Sequence, residues 1–330
     1  MASAMSVHPD LVPFVRPVDP DGFKDPVRRR KEVHAFLDSV LPDSPAWLAT
    51  LTSDDCMVPG LDGEPGVPVR IIRPARADVV ARPCVVWFHG SGFITGKLEL
   101  DSVISSRYAA ELDAVVVHVD YRLAPENPFP AAVRDGYAVL TWLQRSAGDL
   151  GVDLGRLIIA GSSAGGALAA AMCLLVRDNG GPRPALQVLL YPVLDDRLAT
   201  DSARNSVGVP VLTSPMVRDM WRHYLGDRAG GADVSPYAAP ARAADLAGLP
   251  PAYILTAQLD PLHDEGIGYG RRLEKAGAPT TIADYAGAFH GFLNLDAAVA
   301  HDANRRLFDF IRAWLDQPSP DPARRGGRAQ

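Results

Sequence analysis

Lysine and cysteine are the residues this chain nearly does without. Lysine stands only at positions 24, 31, 97 and 275, so arginine supplies almost all of the 33 basic residues. These are outnumbered by 39 acidic ones, for a net charge of −6, which argues against a nucleic-acid footprint. The arginine bias, beside abundant alanine, reflects codon usage rather than a phosphate site. Cysteine occurs three times, at Cys56, Cys84 and Cys173, odd in number and without ligand spacing. That argues against a disulfide framework and against a zinc site. The stretch from Met1 to Val18 has Asp10 and prolines 9, 13 and 17 but no apolar run, so no secretory signal is expected. Charge is missing between Arg156 and Arg177, and Leu157 to Val176 is long enough for a membrane span. The cluster Gly161, Ser162, Ser163, Gly165 and Gly166 sits inside it, so a buried strand, a tight turn and a buried helix explain it better. No membrane span and no internal repeat are expected.

What is present is an ordinary globular composition, 47% hydrophobic and 22% charged over 330 residues. A chain of this size buries about three quarters of its extended surface, enough for a core without staples. Strand and helix signals alternate through the middle. Strand-like runs lie at Cys84 to Phe88, Ala114 to Val119, Leu157 to Ala160, Leu186 to Leu190, Tyr253 to Thr256 and Thr280 to Tyr285. Between and after them, helical patterns cover 102–112, 131–145, 164–177, 266–275 and 305–315. Continuous apolar strands alternating with helices predict a mostly parallel sheet covered on both faces, an α/β fold.

Two segments break the alternation. Residues 1–50 precede it, with a helical pattern over 25–41 carrying Val27, Val33, Phe36, Leu37 and Val40. Residues 195–232 interrupt it, with another helix over 215–225. The expected organisation is a lid from these two pieces, a core split into 51–194 and 233–316, and a disordered tail over 317–330.

Gly161-Ser162-Ser163-Ala164-Gly165 fits Gly-x-Ser-x-Gly, after an apolar strand and at the head of an alanine-rich helix. That is the setting of a nucleophile elbow, where a strained turn projects the central hydroxyl and a helix N-terminus favours developing negative charge. Ser163 is the candidate nucleophile; Ser162 is not framed by the glycines. A serine hydroxyl needs a base. Of eight histidines, His290 is the best placed, after a strand and the short loop Ala286 to Phe289; His118 lies within an apolar strand and reads as structural. The base needs an anion to fix its tautomer, and Asp260 follows the strand Tyr253 to Thr256. Asp264 and Glu265 are rivals, read as N-terminal charges of the next helix. The order serine, acid, histidine is that of the α/β hydrolases. A tetrahedral intermediate also needs oxyanion donors. The backbone of His89-Gly90-Ser91-Gly92-Phe93 and the N–H of Ala164 are candidates. The same glycines, with Gly96 and Asp120, admit a dinucleotide-loop reading.

Together, His-Gly-x-Gly-Phe, Asp120-Tyr121-Arg122-Leu123-Ala124-Pro125-Glu126, Gly-x-Ser-Ala-Gly-Gly, Asp-Pro-Leu-x-Asp-Glu and Phe289-His290-Gly291-Phe292 resemble the bacterial hormone-sensitive-lipase family of carboxylesterases, over about residues 80–315. The resemblance implies an α/β-hydrolase fold with a helical cap, a triad of Ser163, His290 and Asp260, and Ser91, Gly92 and Ala164 as oxyanion hole. It also implies that Arg122 and Glu126 form a buried charge network. Ser91 replaces the glycine usual in the family, and Ser162 its usual Asp or Thr.

The expected reaction is hydrolysis of short- to medium-chain acyl esters through an acyl-serine, with no metal or organic cofactor. The expected partner is a small-molecule ester, in the cytoplasm; a homodimer is compatible with the sequence. Rival readings are an acyltransferase or amidase on the same triad, a non-catalytic receptor, and a nicotinamide-dependent oxidoreductase.

Overall fold

The computed structural model describes residues 6–40, 46–76, 81–96, 98 and 102–317. Past residue 317, the expected disordered tail lies outside the described residues. So do the side chains of Phe36, Leu37 and Val40 on the expected apolar face.

Eight strands form one sheet: β1 (Leu51–Val58), β2 (Val67–Pro74), β3 (Arg82–Phe88), β4 (Val115–Val119), β5 (Val152–Ser162), β6 (Leu186–Leu190), β7 (Ala252–Ala257) and β8 (Thr280–Tyr285). Their order is β1-β2-β4-β3-β5-β6-β7-β8. Every pair from β4 to β8 is parallel, while β1 with β2 and β2 with β4 are antiparallel. The central strands are apolar on both sides because both faces are covered. Cys84, Val86 and Phe88 of β3 enter one core with α3 (Ala131–Leu150), α4 (Ala164–Asn179) and α7 (His263–Lys275). Val85 and Trp87 enter the other with α2 (Ser102–Leu112) and α8 (Ala298–Leu315). The sequence pattern marks each of these helices, though all but α2 run longer than it predicts, α3 and α8 most.

The antiparallel pair β1 and β2 was not expected. Only Val58 of β1 is buried, so the strand has no apolar face to read. Its exposed acids pair across to β2, Arg70 with Asp55 at 2.7 Å and Arg73 with Asp54 at 3.1 Å. A charged edge also discourages pairing with another chain.

Residues before the sheet reach two places. Leu11, in the turn Pro9–Phe14, is fully buried in the core under α8. There the His8 N–H donates to Gly287 O at 2.8 Å and the Val299 N–H to Asp10 Oδ2 at 3.1 Å. Further on, Phe23 joins the opposite core together with Met216, Met220 and Trp221 of α6 (Ser214–Leu225), and Phe23 O bonds His223 Nε2 at 2.8 Å. Helix α1 (Pro26–Val40) sends Arg30 to the carbonyls of Ile94 and Ala124. A short α5 (Asp201–Asn205) completes the helices.

The expected Arg122–Glu126 network divides in two. Arg122 pairs with buried Asp135 at 2.7 Å and with Glu64 at 2.6 Å. Glu126, half exposed, is held by Arg30 at 2.6 Å. The two side chains leave the turn in different directions, so each finds its own partner. Among the described residues no helix is long and apolar enough to cross a membrane. All three cysteines are free.

Candidate active site

Strand β5 ends at Ser162, and Ser163 turns the chain into α4 with φ 54° and ψ −119°. A non-glycine residue there is strained and must be held by its surroundings. The frame is tight: a β-carbon on Gly161 would stand 2.2 Å from Gly165 O. The Ser163 N–H donates to Leu190 O at 2.9 Å, and Ser163 O accepts from the Val193 N–H at 3.0 Å. The turn is therefore clamped against the strand beside it.

Three chain-distant residues meet here. Ser163 Oγ lies 3.0 Å from His290 Nε2, and His290 Nδ1 lies 2.6 Å from Asp260 Oδ2. Because a carboxylate only accepts, Nδ1 carries the proton and Nε2 is left to accept from the serine hydroxyl. The Asp260 side chain is wholly buried. Its second oxygen accepts the Leu262 N–H at 3.0 Å. Asp260 and His290 sit on loops after β7 and β8 that are tied together: Leu259 N–H donates to Ala288 O at 2.8 Å, and Gly287 N–H to Gln258 Oε1 at 2.9 Å. Asp260 and His290 are thus carried on one braced pair of loops.

The rival acids go elsewhere. Asp264 accepts the Ser202 N–H at 2.9 Å and faces His263 Nδ1 at 2.8 Å. Burial pushes its carboxyl up, but these partners outweigh that and hold it below its ordinary value. Glu265 is buried and accepts the N–H groups of Leu194, at 2.6 Å, and Asp195, at 3.3 Å. Burial pushes its carboxyl well above its ordinary value. Both stand in the first turn of α7, as expected. Their side chains, however, tie down the 194–202 segment instead of capping their own helix.

After β3 the backbone runs through three left-handed residues, Ser91 at φ 84°, Gly92 at 69° and Phe93 at 62°. Among the described residues, no hydrogen bond engages the N–H groups of Ser91, Gly92 or Ala164. Gly96 is explained without a phosphate, since a β-carbon there would stand 2.0 Å from His89 Cε1. The His89 ring stacks on Tyr121 with centroids 4.2 Å apart, and its Nδ1 lies 2.9 Å from Gly90 O. The glycine at 96 is thus required by the His89 ring, which removes the reason to read it as part of a dinucleotide loop.

Sequence reasoning missed three neighbours. Tyr191 sets its ring edgewise to His290, centroids 4.9 Å apart. Phe23 and Met220 close over Gly92, where a β-carbon would meet them at 2.8 and 3.4 Å. The helix over 215–225 was expected; the spacing of Met216 and Met220, one turn apart, was the available signal for its inner face.

Comparison with known proteins agrees with this picture. A family model described as alpha/beta hydrolase fold matches residues 85–294. The chain is 37% identical over 310 residues to Esterase LipI of Mycobacterium tuberculosis H37Rv, covering 93% of this chain and 92% of that protein. It is 38% identical over 248 residues to Carboxylesterase NlhH of the same organism, covering 73% and 75%. Among solved structures, a bacterial heroin esterase superposes with a TM-score of 0.89 at 38% identity, over 94% of this chain and 99% of the other. An esterase from Pyrobaculum calidifontis does so with 0.82 at 34%, over 93% and 98%.

Proposed function

The chain belongs to the bacterial hormone-sensitive-lipase family of carboxylesterases within the α/β hydrolases, and it hydrolyses carboxylic esters; from that premise we propose that Ser163, His290 and Asp260 carry the reaction through an acyl-serine. The observation that carries the reading is the unbroken chain Ser163 Oγ, His290 Nε2, His290 Nδ1, Asp260 Oδ2, at 3.0 and 2.6 Å.

Ser163 Oγ attacks the ester carbonyl carbon while His290 Nε2 takes the hydroxyl proton. The carbonyl π pair moves onto oxygen, and the oxyanion accepts from the N–H groups of Ser91, Gly92 and Ala164. Collapse breaks the bond to the alcohol, which leaves with the proton from His290. Water then attacks the acyl-serine with His290 again as base, releasing the acid and restoring Ser163. Asp260 keeps the imidazole in one tautomer and offsets its charge when protonated.

Of the expected cap, 1–50 and 195–232, residues 8–11 pack under α8 instead, whereas the stretch around Phe23 and helix α6 cover the site in this reading, with Phe23 and Met220 at the inner surface. Their closeness to Gly92 supports a preference for short to medium acyl chains. A relative named ethyl acetate hydrolase, from Pseudomonas putida and 29% identical, points the same way. The cytoplasmic location and the homodimer remain expectations of the sequence, checked by fractionation and by sedimentation.

The deciding experiment is labelling with a fluorophosphonate. The adduct should form on Ser163, and Ser163→Ala should lose several powers of ten in kcat while Ser162→Ala keeps substantial activity. An adduct on Ser162, or an active Ser163→Ala enzyme, would overturn the assignment. Phe23→Ala should shift the chain-length profile of p-nitrophenyl esters toward longer acyl groups; an unchanged profile removes Phe23 from the acyl pocket.

A further inference from the structure

We propose that Thr95 is a positioning residue for the oxyanion donors, acting on the far end of the peptide that carries the Gly92 N–H. The proposal rests on the reading of Ser91, Gly92 and Ala164 as those donors.

A trans peptide is planar, and its C=O and N–H point in opposite directions. Holding one end therefore aims the other. The Gly92 N–H belongs to the same peptide as Ser91 O. That oxygen accepts from the Thr95 N–H at 3.2 Å, from Thr95 Oγ1 at 3.2 Å and from the Ile94 N–H at 3.4 Å. One peptide earlier the arrangement repeats. The Ser91 N–H shares a plane with Gly90 O, which lies 2.9 Å from His89 Nδ1 and 3.5 Å from the Tyr121 hydroxyl. Both donor peptides are moored at their carbonyl ends.

The mooring matters because these backbone conformations do not hold themselves. Turning over the 90–91 peptide would return Ser91 from φ 84° to the region L-residues prefer, and would swing its N–H away. Turning over the 91–92 peptide costs Gly92 little in its own backbone conformation, because glycine adopts either sign of φ. What opposes that second motion is the set of bonds on Ser91 O, two of them from Thr95. Thr95 is only 2% exposed, so water does not readily replace its hydroxyl. A carbonyl that accepts hydrogen bonds also polarises its own peptide, making the N–H at the other end a better donor. Nothing in this role touches substrate; Thr95 acts through the Ser91–Gly92 peptide.

The test compares Thr95→Val, which keeps the shape and removes the hydroxyl, with Thr95→Ser, which keeps the hydroxyl. For Thr95→Val, kcat should fall roughly fivefold to twentyfold, less than the hundredfold or more that follows loss of a whole oxyanion donor, with KM within about twofold. Affinity for a trifluoromethyl ketone, which forms a tetrahedral oxyanion on the serine, should fall by the same factor, and Thr95→Ser should restore both. Unchanged kcat in Thr95→Val, a fall in thermal stability alone, or a Thr95→Ser enzyme as slow as Thr95→Val would overturn the proposal. A crystal structure of the phosphonate adduct of the unaltered enzyme decides the matter even if Thr95→Val does not fold. A phosphoryl oxygen on the N–H groups of Ser91, Gly92 and Ala164, with the Thr95 hydroxyl still on Ser91 O, supports it. The same oxygen position without the Thr95 bond refutes the mooring alone. An oxygen bound elsewhere refutes the donor reading beneath it.

Discussion

Gly165 and Phe88 meet backbone to backbone: a β-carbon on Gly165 would stand 2.0 Å from the Phe88 carbonyl oxygen. The His89 carbonyl oxygen would lie 2.5 Å away as well. No flexible side chain is present to yield. Gly165→Ala should therefore push α4 from the end of β3, at a cost of about 3 kcal/mol or more. Because the elbow at Ser163 and the loop after Phe88 border this contact, activity should fall further than stability. Melting temperature and kcat measured on the same sample check this, and a fully active Gly165→Ala enzyme would contradict it.

Asp260 and Asp264 stand four residues apart but serve different partners. Asp260→Asn should fold yet lose about 10³–10⁴ in kcat, because the amide disturbs the tautomer of His290. Asp264→Asn weakens the tie to Ser202, which should cost stability of about 1 kcal/mol and leave kcat within a fewfold. Steady-state kinetics on the two variants would expose the wrong choice of acid if the losses came out reversed.

Ser91 occupies a backbone region that suits glycine. Ser91→Gly removes a left-handed strain of about 1–2 kcal/mol and adds chain freedom to the unfolded state worth about 0.5–1 kcal/mol. The variant should be equally stable or more stable by up to about 1.5 kcal/mol, with kcat within tenfold. Urea unfolding and kinetics test both numbers; a clear destabilisation would mean that the hydroxyl, not the backbone, is what matters at this position. Removing the donor with proline is ruled out as a test, because proline needs φ near −65° and Ser91 has +84°.

Glu265 gives stability a pH dependence. Its ordinary value is 4.5, and burial raises it well above that in the folded enzyme. As pH rises past the ordinary value, the unfolded chain gives up this proton while the folded one keeps it. The folded state then holds more protons, so the contribution of this group to stability is full at low pH and is lost as pH climbs to the raised value. Glu265→Gln does not titrate. Its stability relative to the unaltered enzyme should improve from pH 5 to pH 9, measured by urea unfolding; parallel curves would sink the idea.

The alternation of strands and helices from residue 82 onward was legible because central parallel strands are apolar on both faces and their helices keep one apolar side. Ser163, Asp260 and His290 were legible because each follows a strand that its pattern marks, and parallel strands bring such ends together. The β1–β2 pair was hidden because its outer strand buries almost nothing. Glu126 was misassigned because a one-dimensional motif cannot tell which way two charges in one turn will point. Thr95 was invisible for another reason. Its partner is a carbonyl oxygen four residues back, and nothing in a side-chain pattern records where a carbonyl points.

The first described residues are bonded to some of the last. Asp10 receives the Val299 N–H across 289 residues of chain, and His8 binds the loop that holds His290. A ribosome adding about 5–20 residues per second makes Asp10 roughly 15–60 s before Val299. Through that interval Leu11, fully buried in the finished enzyme, has no core under α8 to enter. A shorter delay, roughly 6–25 s for the 127 residues between them, separates Ser163 from His290. Synthesis thus runs ahead of closure at both places, and the nascent chain should gain its hydrolytic power late, near the moment the helix Ala298–Leu315 emerges and holds the turn Pro9–Phe14 in place.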